Sequence, residues 1–325
     1  MRVGLDVSPL DQTRAGTARY IAQLEAVTGV ELVHLSLPGR GRLATVWRDA
    51  VWYPVVLPRL ARAQRLDVLH CPTFRAPLSP PSCPLVVTVH DLAVLRHPET
   101  LNLWTRRYSR HCVSRVVRAA RLVVAVSEFT RGELVELLRV PEERIRVVPN
   151  GVAPVFSPEG PAEEGTYVLA VGTIEPRKNL SRLAEAAGRA GVELRVAGSR
   201  GWGRVDLGDG VRLLGEVADD RLARLFRGAL CFAYPSLYEG FGLPIVEAMA
   251  CGTPVVTSRG GATEETAGAA AVLIDPLDSE AIAAGIDEAV TRRDELRRLG
   301  LERAGTFSWE AVAQATAAVY REAAS

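Results

Sequence analysis

Lysine is almost missing from this chain. Of its 39 basic residues all but Lys178 are arginine. Such a bias reflects the source genome, and it makes the lone lysine conspicuous, because wherever any cation serves this sequence writes arginine. Cysteine is sparse too: Cys71, Cys83, Cys112, Cys231 and Cys251 are odd in number, far apart and without a C-x-x-C pair. A disulfide framework and a zinc cage are therefore excluded, and a reducing, cytoplasmic setting is expected. No apolar run reaches membrane-spanning length, and the opening Arg2-Val-Gly-Leu-Asp-Val has neither the charged and apolar regions nor the cleavage site of a secretory leader. Low-complexity tracts and short repeats are absent. With 48% hydrophobic and 24% charged residues, disorder and collagen are excluded.

What is present fits two domains, because 325 residues exceed what one hydrophobic core usually serves. Charge divides the chain in the same way. Residues 1–155 carry 21 arginines against 13 acids, whereas 156–325 carry 18 basic and 25 acidic residues. Short apolar runs recur between helical patterns at 2–8, 30–37, 67–71, 84–90, 121–127 and 145–149, and again at 166–172, 193–198, 211–215, 229–234, 254–257 and 270–274. Runs without strict alternation indicate strands buried on both faces, and strands alternating with helices indicate parallel βαβ units. The expected fold is α/β, two doubly wound Rossmann-like domains. Ala153 to Gly165, rich in Pro and Gly, reads as the linker, and the tail from Phe307 reads as a helix with Ser308 as N-cap.

The strongest motif is Ser236-Leu-Tyr-Glu-Gly-Phe-Gly-Leu-Pro-Ile-Val-Glu-Ala-Met-Ala-Cys-Gly-Thr-Pro-Val-Val256. A strand leads into a Gly-containing loop, a helix begins near Pro244, and Gly252 closes it. The N–H groups of residues 241–243 and the helix dipole make an anion or polar-ligand site there. Glu239 in the loop and Glu247 in the first helical turns face one ligand from opposite sides. Taken singly, these two read as a loop solvator and a complement to the helix N-terminus. The whole string resembles the E-x7-E signature of the retaining family 4 glycosyltransferases, nucleotide-sugar enzymes of the two-domain GT-B fold. That resemblance implies that Glu239 approaches the donor sugar and Glu247 the nucleotide ribose, with Gly240, Phe241, Gly242 and Leu243 lining sugar and phosphates.

A second segment, Val171-Gly-Thr-Ile-Glu-Pro-Arg-Lys-Asn-Leu180, follows a strand and precedes a helix that Asn179 is expected to cap. An adjacent Arg-Lys pair is usually a solvated helix start. Here the only lysine of the chain occupies it, and a compact ammonium differs physically from a planar guanidinium. The string resembles the family's G-x-x-x-P-R-K-N/G segment, which implies that Arg177 and Lys178 grip the diphosphate of the donor without a metal. Several relatives place an arginine after the glycine; Thr173 stands there in this chain, so Arg177 and Lys178, or another arginine, take up more of the charge.

In the first half, Thr13-Arg-Ala-Gly-Thr-Ala-Arg-Tyr20 opens a helix, and Gly16 permits close backbone approach to a ligand. The family has two adjacent glycines; Ala15 replaces the first, so only Gly16 is carried over. His90-Asp91 ends the strand Leu85-Val-Val-Thr-Val, on the rim where parallel strands present ligands. His90 resembles the family's histidine at that strand end, which implies contact with donor sugar and acceptor. His34, His70, His97 and His111 read as structural. No His/Asp/Glu cluster has metal-ligand spacing, and no D-x-D element ends a strand.

Residues 101–121 carry six arginines and no acid, and residues 40–65 combine Arg40, Arg42, Arg48, Arg59, Arg62 and Arg65 with Trp47, Trp52 and Tyr53. Such faces bind anionic lipid headgroups or a lipid-phosphate acceptor; equally, they are solvated helix faces with buried aromatics. Nucleic acid is not expected, since charge is balanced and no recognised module occurs.

The resemblance as a whole implies an acceptor-binding domain over 1–155, a nucleotide-sugar-binding domain over 156–306, and a helix over 307–325 returning to the first, with a cleft between the domains. The implied reaction is metal-independent, retaining hexosyl transfer of mannose or glucose type to a glycan or lipid-linked acceptor in cell-surface polysaccharide or glycolipid synthesis. The expected location is the cytoplasm, with possible contact at the inner membrane face. The alternatives are a non-catalytic GT-B partner subunit and an NAD-dependent dehydrogenase. The latter lacks a G-x-G-x-x-G after a strand with an acid downstream.

Overall fold

A computed structural model describes residues 1–11, 16–39, 41–98, 103–203, 205–208 and 210–325, without the side chains at 42, 103–105 and 107–110. Thr13, Arg14, Ala15 and Arg40 of the sequence argument lie outside it, as do the side chains of Arg42, Arg107 and Arg110. The chain forms two compact units, one from residues 1–98, 103–150 and 309–325, the other from 151–308.

The first unit is built on β1 (Arg2–Asp6), β2 (Glu31–Leu35), β3 (Val68–Cys71), β4 (Leu85–Val89), β5 (Leu122–Ala125) and β6 (Ile145–Val147). They form one sheet in the order β2-β1-β3-β4-β5-β6, with every pairing parallel. Its helices are α1 (Gly16–Gln23), α2 (Arg42–Trp47), α3 (Leu57–Ala63), α4 (Ala93–Arg96), α5 (Leu103–Ala119) and α6 (Glu128–Leu138). The second unit repeats the plan with β7 (Tyr167–Val171), β8 (Glu193–Ala197), β9 (Val211–Gly215), β10 (Cys231–Tyr234), β11 (Val255–Ser258) and β12 (Ala271–Ile274), in the order β12-β11-β10-β7-β8-β9. Around that sheet run α7 (Leu180–Arg189), α8 (Asp219–Gly228), α9 (Leu243–Ala250), α10 (Gly261–Ala267), α11 (Ser279–Thr291) and α12 (Arg293–Ala304). The last helix, α13 (Trp309–Ala324), starts directly after Ser308 and belongs to the first unit.

Burial explains why the strands are legible as apolar runs. β3, β4, β5, β10 and β11 are buried at every position, covered on both faces, whereas the edge strands β2 and β9 are partly exposed. Each large apolar side chain buried in these layers contributes roughly 1.5–3 kcal/mol. Because all strands of a sheet run the same way, their carboxyl ends share one rim, and the loops that leave it lie side by side.

Two segments of the sequence argument take definite places. The Pro/Gly-rich stretch from Ala153 to Gly165 is irregular, yet it is fastened to the second unit. Phe156 is buried against Phe226 with ring centroids 6.0 Å apart, and Arg227 donates to Pro161 O and Ser157 O at 2.8 and 3.0 Å. In the first unit, Arg48, Trp52 and Tyr53 are core residues. They lie on a π-helical turn, Arg48–Val56, that joins α2 to α3, and Arg48 donates to the carbonyls of Leu37 and Gly39 at 2.9 and 2.5 Å. Of the two readings left open for this stretch, buried aromatics hold for Trp52 and Tyr53, while Trp47 is exposed.

The fastened stretch makes one glycine indispensable. A Cβ on Gly228 would lie 2.0 Å from Glu163 O and 2.8 Å from the Tyr167 hydroxyl, whereas nothing lies within 4 Å of one on Gly188. Gly228→Ala should therefore cost about 1–3 kcal/mol in a denaturant titration. Gly188→Ala, within α7, should be neutral or stabilising by a few tenths.

Candidate functional site

β7 and β10 are hydrogen-bonded neighbours, so the loops leaving their carboxyl ends emerge together. These loops carry the two motifs. They are joined through the backbone, where Leu237 N donates to Arg177 O at 2.9 Å, and through side chains. The Lys178 ammonium donates to Glu239 Oε1 at 2.6 Å and to the Tyr234 hydroxyl at 2.7 Å. Arg177 donates to Glu239 Oε2 at 3.1 Å and to Tyr238 O at 2.8 Å, while its Nη2 meets Glu175 Oε1 at 2.8 Å. The Arg177, Lys178 and Glu239 side chains are only 16%, 11% and 10% exposed. They form a built ionic cluster, not a solvated helix start.

Buried charge survives only when paired, and the protonation equilibria reflect this. Burial alone drives the Glu239 carboxyl upward, but the charges of Lys178 and Arg177 outweigh it and hold it down at about 2. Burial lowers Lys178, and the Glu239 carboxylate opposes that shift. The Tyr234 phenol is pushed well above its usual range by burial and by the Glu239 charge, so it stays a neutral partner.

Local backbone geometry brings the lysine to this place. Pro176–Lys178 make one 3-10 turn, ended by Asn179 in the left-handed region at φ 57°. Asn179 stands at the N-cap position of α7 but does not cap it. Its Oδ1 instead accepts from Arg182 at 2.9 Å, and its N–H groups donate to Pro235 O and Pro276 O at 3.1 and 2.6 Å, which ties this turn to the next loop. Gly172 has φ +140°, and a Cβ there would lie 3.1 Å from Lys178 Cε; a Cβ on Gly198 would lie 2.0 Å from Gly172 O. Thr173 follows, with its methyl facing Gly201 so closely that a Cβ there would lie 2.5 Å away.

Beyond Glu239 the second motif behaves as its residue types require. Gly240 and Phe241 are buried, Gly242 takes φ +92° as the residue before α9, and Leu243 and Pro244 begin the helix. Gly252, at φ +73°, follows its end. The first-turn N–H groups of α9 lack the partners that later turns have, and of these Ile245 N donates to Gly242 O at 2.9 Å. Glu247 lies in the second turn and is 2% exposed. The loop carbonyls are held by hydroxyls from β11 and α10: Ser258 to Ser236 O at 2.7 Å and Thr266 to Phe241 O at 2.6 Å. Glu175, Tyr234, Ser258 and Thr266 were not singled out by motif reading. Only Glu175, two places before Arg177, left a signal in the sequence.

His90 and Gly16 belong to the first unit. Gly16 is the first residue of α1, and His90 follows β4, with Nε2 3.0 Å from Pro72 O and its ring edge-on to Tyr20 of α1 at 5.0 Å. Burial lowers the His90 pKa. Among the described residues, no three His, Cys, Asp or Glu side chains gather as a metal-ligand set.

With this geometry in place, comparison with known proteins is informative. Residues 155–303 match the family described as glycosyl transferases group 1, and residues 11–156 match glycosyltransferase family 4. An O-antigen chain mannosyltransferase B from Escherichia coli is 35% identical over 73% of this chain and 70% of its own. The chain belongs to the family 4 glycosyltransferases. This glycosyltransferase is also 32% identical to an MMP alpha-(1->4)-mannosyltransferase from Mycolicibacterium hassiacum, over 74% of this chain and 66% of the relative. The structure of Anabaena Alr3699/HepE in complex with UDP-glucose superposes with a TM-score of 0.74 over 99% of both chains at 19% identity, a likeness of fold. Two six-stranded parallel sheets in Rossmann-like units are thus the GT-B architecture.

The Glu239 cluster makes acid stability of this glycosyltransferase testable. A carboxyl at about 2 in the fold and 4.5 when unfolded binds fewer protons folded than unfolded between those values. Its pairing contributes fully above pH 4.5, and that contribution, roughly 3 kcal/mol, is lost as pH falls toward 2. Glu239→Gln should lower the melting temperature at pH 7 and flatten the acid limb of its pH dependence over that window. An unchanged acid limb contradicts the assignment.

Proposed function

We propose that this chain transfers a hexosyl unit of mannose or glucose type, with retention of configuration, from a nucleoside diphosphate sugar to a glycan or lipid-linked acceptor. The observation that carries the reading is one carboxylate held by two buried cations at the strand ends of the second unit. Breaking a glycosidic bond to a diphosphate builds negative charge on the departing oxygen, and preorganised cations stabilise it; loss of a comparable charge-stabilising donor costs about 3–4 kcal/mol. Arg177 and Lys178 take that role. In the free protein Glu239 neutralises them, and an arriving diphosphate replaces it as their partner, which releases Glu239 to accept from sugar hydroxyls. Gly240, Phe241, Gly242, Leu243 and Thr173 line sugar and phosphates, Glu247 meets the ribose, Gly16 allows close backbone approach to the diphosphate or sugar, and His90 contacts sugar hydroxyls.

In the reaction, the bond from the anomeric carbon to the diphosphate oxygen breaks, that oxygen takes the proton of the acceptor hydroxyl, and the new bond forms on the face it left. The positive charge supplied by Arg177 and Lys178 makes a resident metal unnecessary in this reading. The mannose or glucose assignment is supported by the two mannosyltransferase relatives and by the UDP-glucose complex of the structural neighbour. The O-antigen chain mannosyltransferase among the relatives favours cell-surface polysaccharide or glycolipid synthesis. The intact set of Glu239, Glu247, Arg177, Lys178 and His90 favours an enzyme over a non-catalytic partner subunit.

Donor turnover tests the reading. Lys178→Ala and Glu239→Ala should each lose at least a hundredfold in kcat, and wild-type activity should persist in EDTA. Near-wild-type rates in both variants sink the assignment, and strict dependence on added Mg²⁺ or Mn²⁺ contradicts the metal-free site. Thermal shift with GDP-mannose, UDP-glucose and UDP-N-acetylglucosamine identifies the donor, since a ligand at 100 times its Kd stabilises by about 2.7 kcal/mol.

We further propose peripheral contact with an anionic membrane at the cytoplasmic face. Leu43 and Trp47 on α2 are 88% and 55% exposed, Arg59 and Arg62 are exposed farther along the same continuous helical stretch, and Arg65 is exposed in the turn after it. No described helix is long and apolar enough to cross a membrane. Flotation with anionic liposomes at low salt should recover the protein, Leu43→Ser with Trp47→Ser should weaken recovery, and absence of binding by the wild type refutes the contact.

A further inference from the structure

Within the first unit, four buried side chains from four elements form a continuous line of hydrogen bonds. The Tyr320 hydroxyl of α13 lies 2.7 Å from Nδ1 of His70 on β3. His70 Nε2 lies 2.9 Å from Oγ1 of Thr88 on β4, and that oxygen lies 3.0 Å from the Tyr20 hydroxyl of α1. All four side chains are at most 1% exposed. Whichever nitrogen of His70 carries the proton, the other accepts, so a single neutral imidazole serves both hydroxyls. Burial keeps it neutral, with a pKa down at about 3.

The line ends at His90. The Tyr20 ring stands edge-on to the His90 ring at 5.0 Å and 86°, and Thr88 precedes His90 by two residues on the same chain segment. The carbonyl that His90 Nε2 meets at 3.0 Å belongs to Pro72, two residues beyond His70. A carbonyl only accepts, so Nε2 carries the proton and the lone pair of neutral His90 is on Nδ1. Both the ring face and the tautomer of His90 are therefore set by segments that the line joins. Four polar groups in a core that Phe, Leu and Val would fill carry a desolvation cost, offset only when every member is bonded, and such networks define one geometry.

We propose that Tyr320, His70, Thr88 and Tyr20 are positioning residues that hold His90 with Nδ1 presented as a hydrogen-bond acceptor for a hydroxyl of the sugar or acceptor. The C-terminal helix is then a working part of the transfer reaction and not only packing. The inference rests on the reading of His90 as a contact of the reacting sugar.

The test uses full-length protein with ¹⁵N-labelled histidine, read by NMR and by donor turnover. In the wild type His90 should show the neutral pattern protonated at Nε2. Tyr320→Phe and Thr88→Val, each deleting one hydroxyl, should blur that pattern toward mixed tautomers and lower kcat roughly tenfold to a hundredfold. The KM for the donor should stay within about twofold, because Arg177, Lys178 and Glu247, assigned to the diphosphate charge and the ribose, belong to the other unit. Ile21→Val, a buried neighbour of Tyr20 outside the line, controls for stability and should leave kcat and the His90 pattern unchanged. If the two hydroxyl deletions leave both readouts at wild-type values while His90→Ala loses turnover, positioning is refuted and the role of His90 stands. Equal loss in Ile21→Val at matched stability also refutes it. If His90→Ala retains full turnover while Lys178→Ala does not, His90 has no role to support and this inference falls, whereas the diphosphate assignment survives.

Discussion

The contact between Lys178 and Glu239 constrains much of the second unit. An ammonium and a carboxylate 2.6 Å apart, both largely withdrawn from water, are tolerable only if each keeps its partner. The loops after β7 and β10 must therefore leave the sheet in fixed register, which parallel pairing of those strands provides. Around the pair, Glu175 takes the outer side of Arg177, Tyr234 takes a second ammonium proton, and Asn179 ties the turn to Pro235 and Pro276. Gly172 and Gly198 leave the space the lysine stem and the neighbouring carbonyl need. With Glu175 and Glu239 opposite Arg177 and Lys178, the resting cluster is neutral in formal charge. An anionic ligand that displaces one carboxylate keeps the cations paired and frees the carboxylate for hydroxyl recognition, so the proposed chemistry begins from an exchange of partners.

The first unit solves a related problem with neutral groups. Its buried polar line uses hydroxyls and one imidazole, so no charge is desolvated and the requirement is full hydrogen bonding, not charge balance. The excess of arginine in the first half of the sequence does not enter this line. Arg48 shows where one of those cations goes: it is wholly buried, donates through Nε and Nη2 to the carbonyls of Leu37 and Gly39, and has Asp11 Oδ2 3.8 Å from Nη2. Charge summed over half a chain and charge at a site are separate quantities.

Much of the fold was legible because strands covered on both faces are mostly apolar. β3, β4, β5, β10 and β11 appear in the sequence as short, largely apolar runs for that reason, with His70, Thr88, Thr257 and Ser258 as buried polar exceptions, and the loop ends of β7 and β10 carry the motifs that resemble family 4. Asn179 shows the limit of local reading. An Asn before a helix is a normal cap, but here its Oδ1 accepts from Arg182 at 2.9 Å while its N–H groups donate to two carbonyls from distant loops. Trp52 and Tyr53 show another: spacing among arginines leaves an interfacial stripe and buried aromatics equally open, and only the packing around the π-turn decides for burial.

By itself, the sequence determined the alternation of strands and helices, the strand-end placement of Arg177, Lys178, Glu239 and His90, and family membership, because each follows from residue type and spacing over short stretches. Tertiary structure alone decided that Lys178 and Glu239, 61 residues apart, are a buried pair. It also decided that Tyr320 and His70, 250 residues apart, share a hydrogen bond. The physical reason is the same in both cases. Hydrogen bonds and ion pairs act over about 3 Å, and only the packing of distant segments sets which groups lie within that reach.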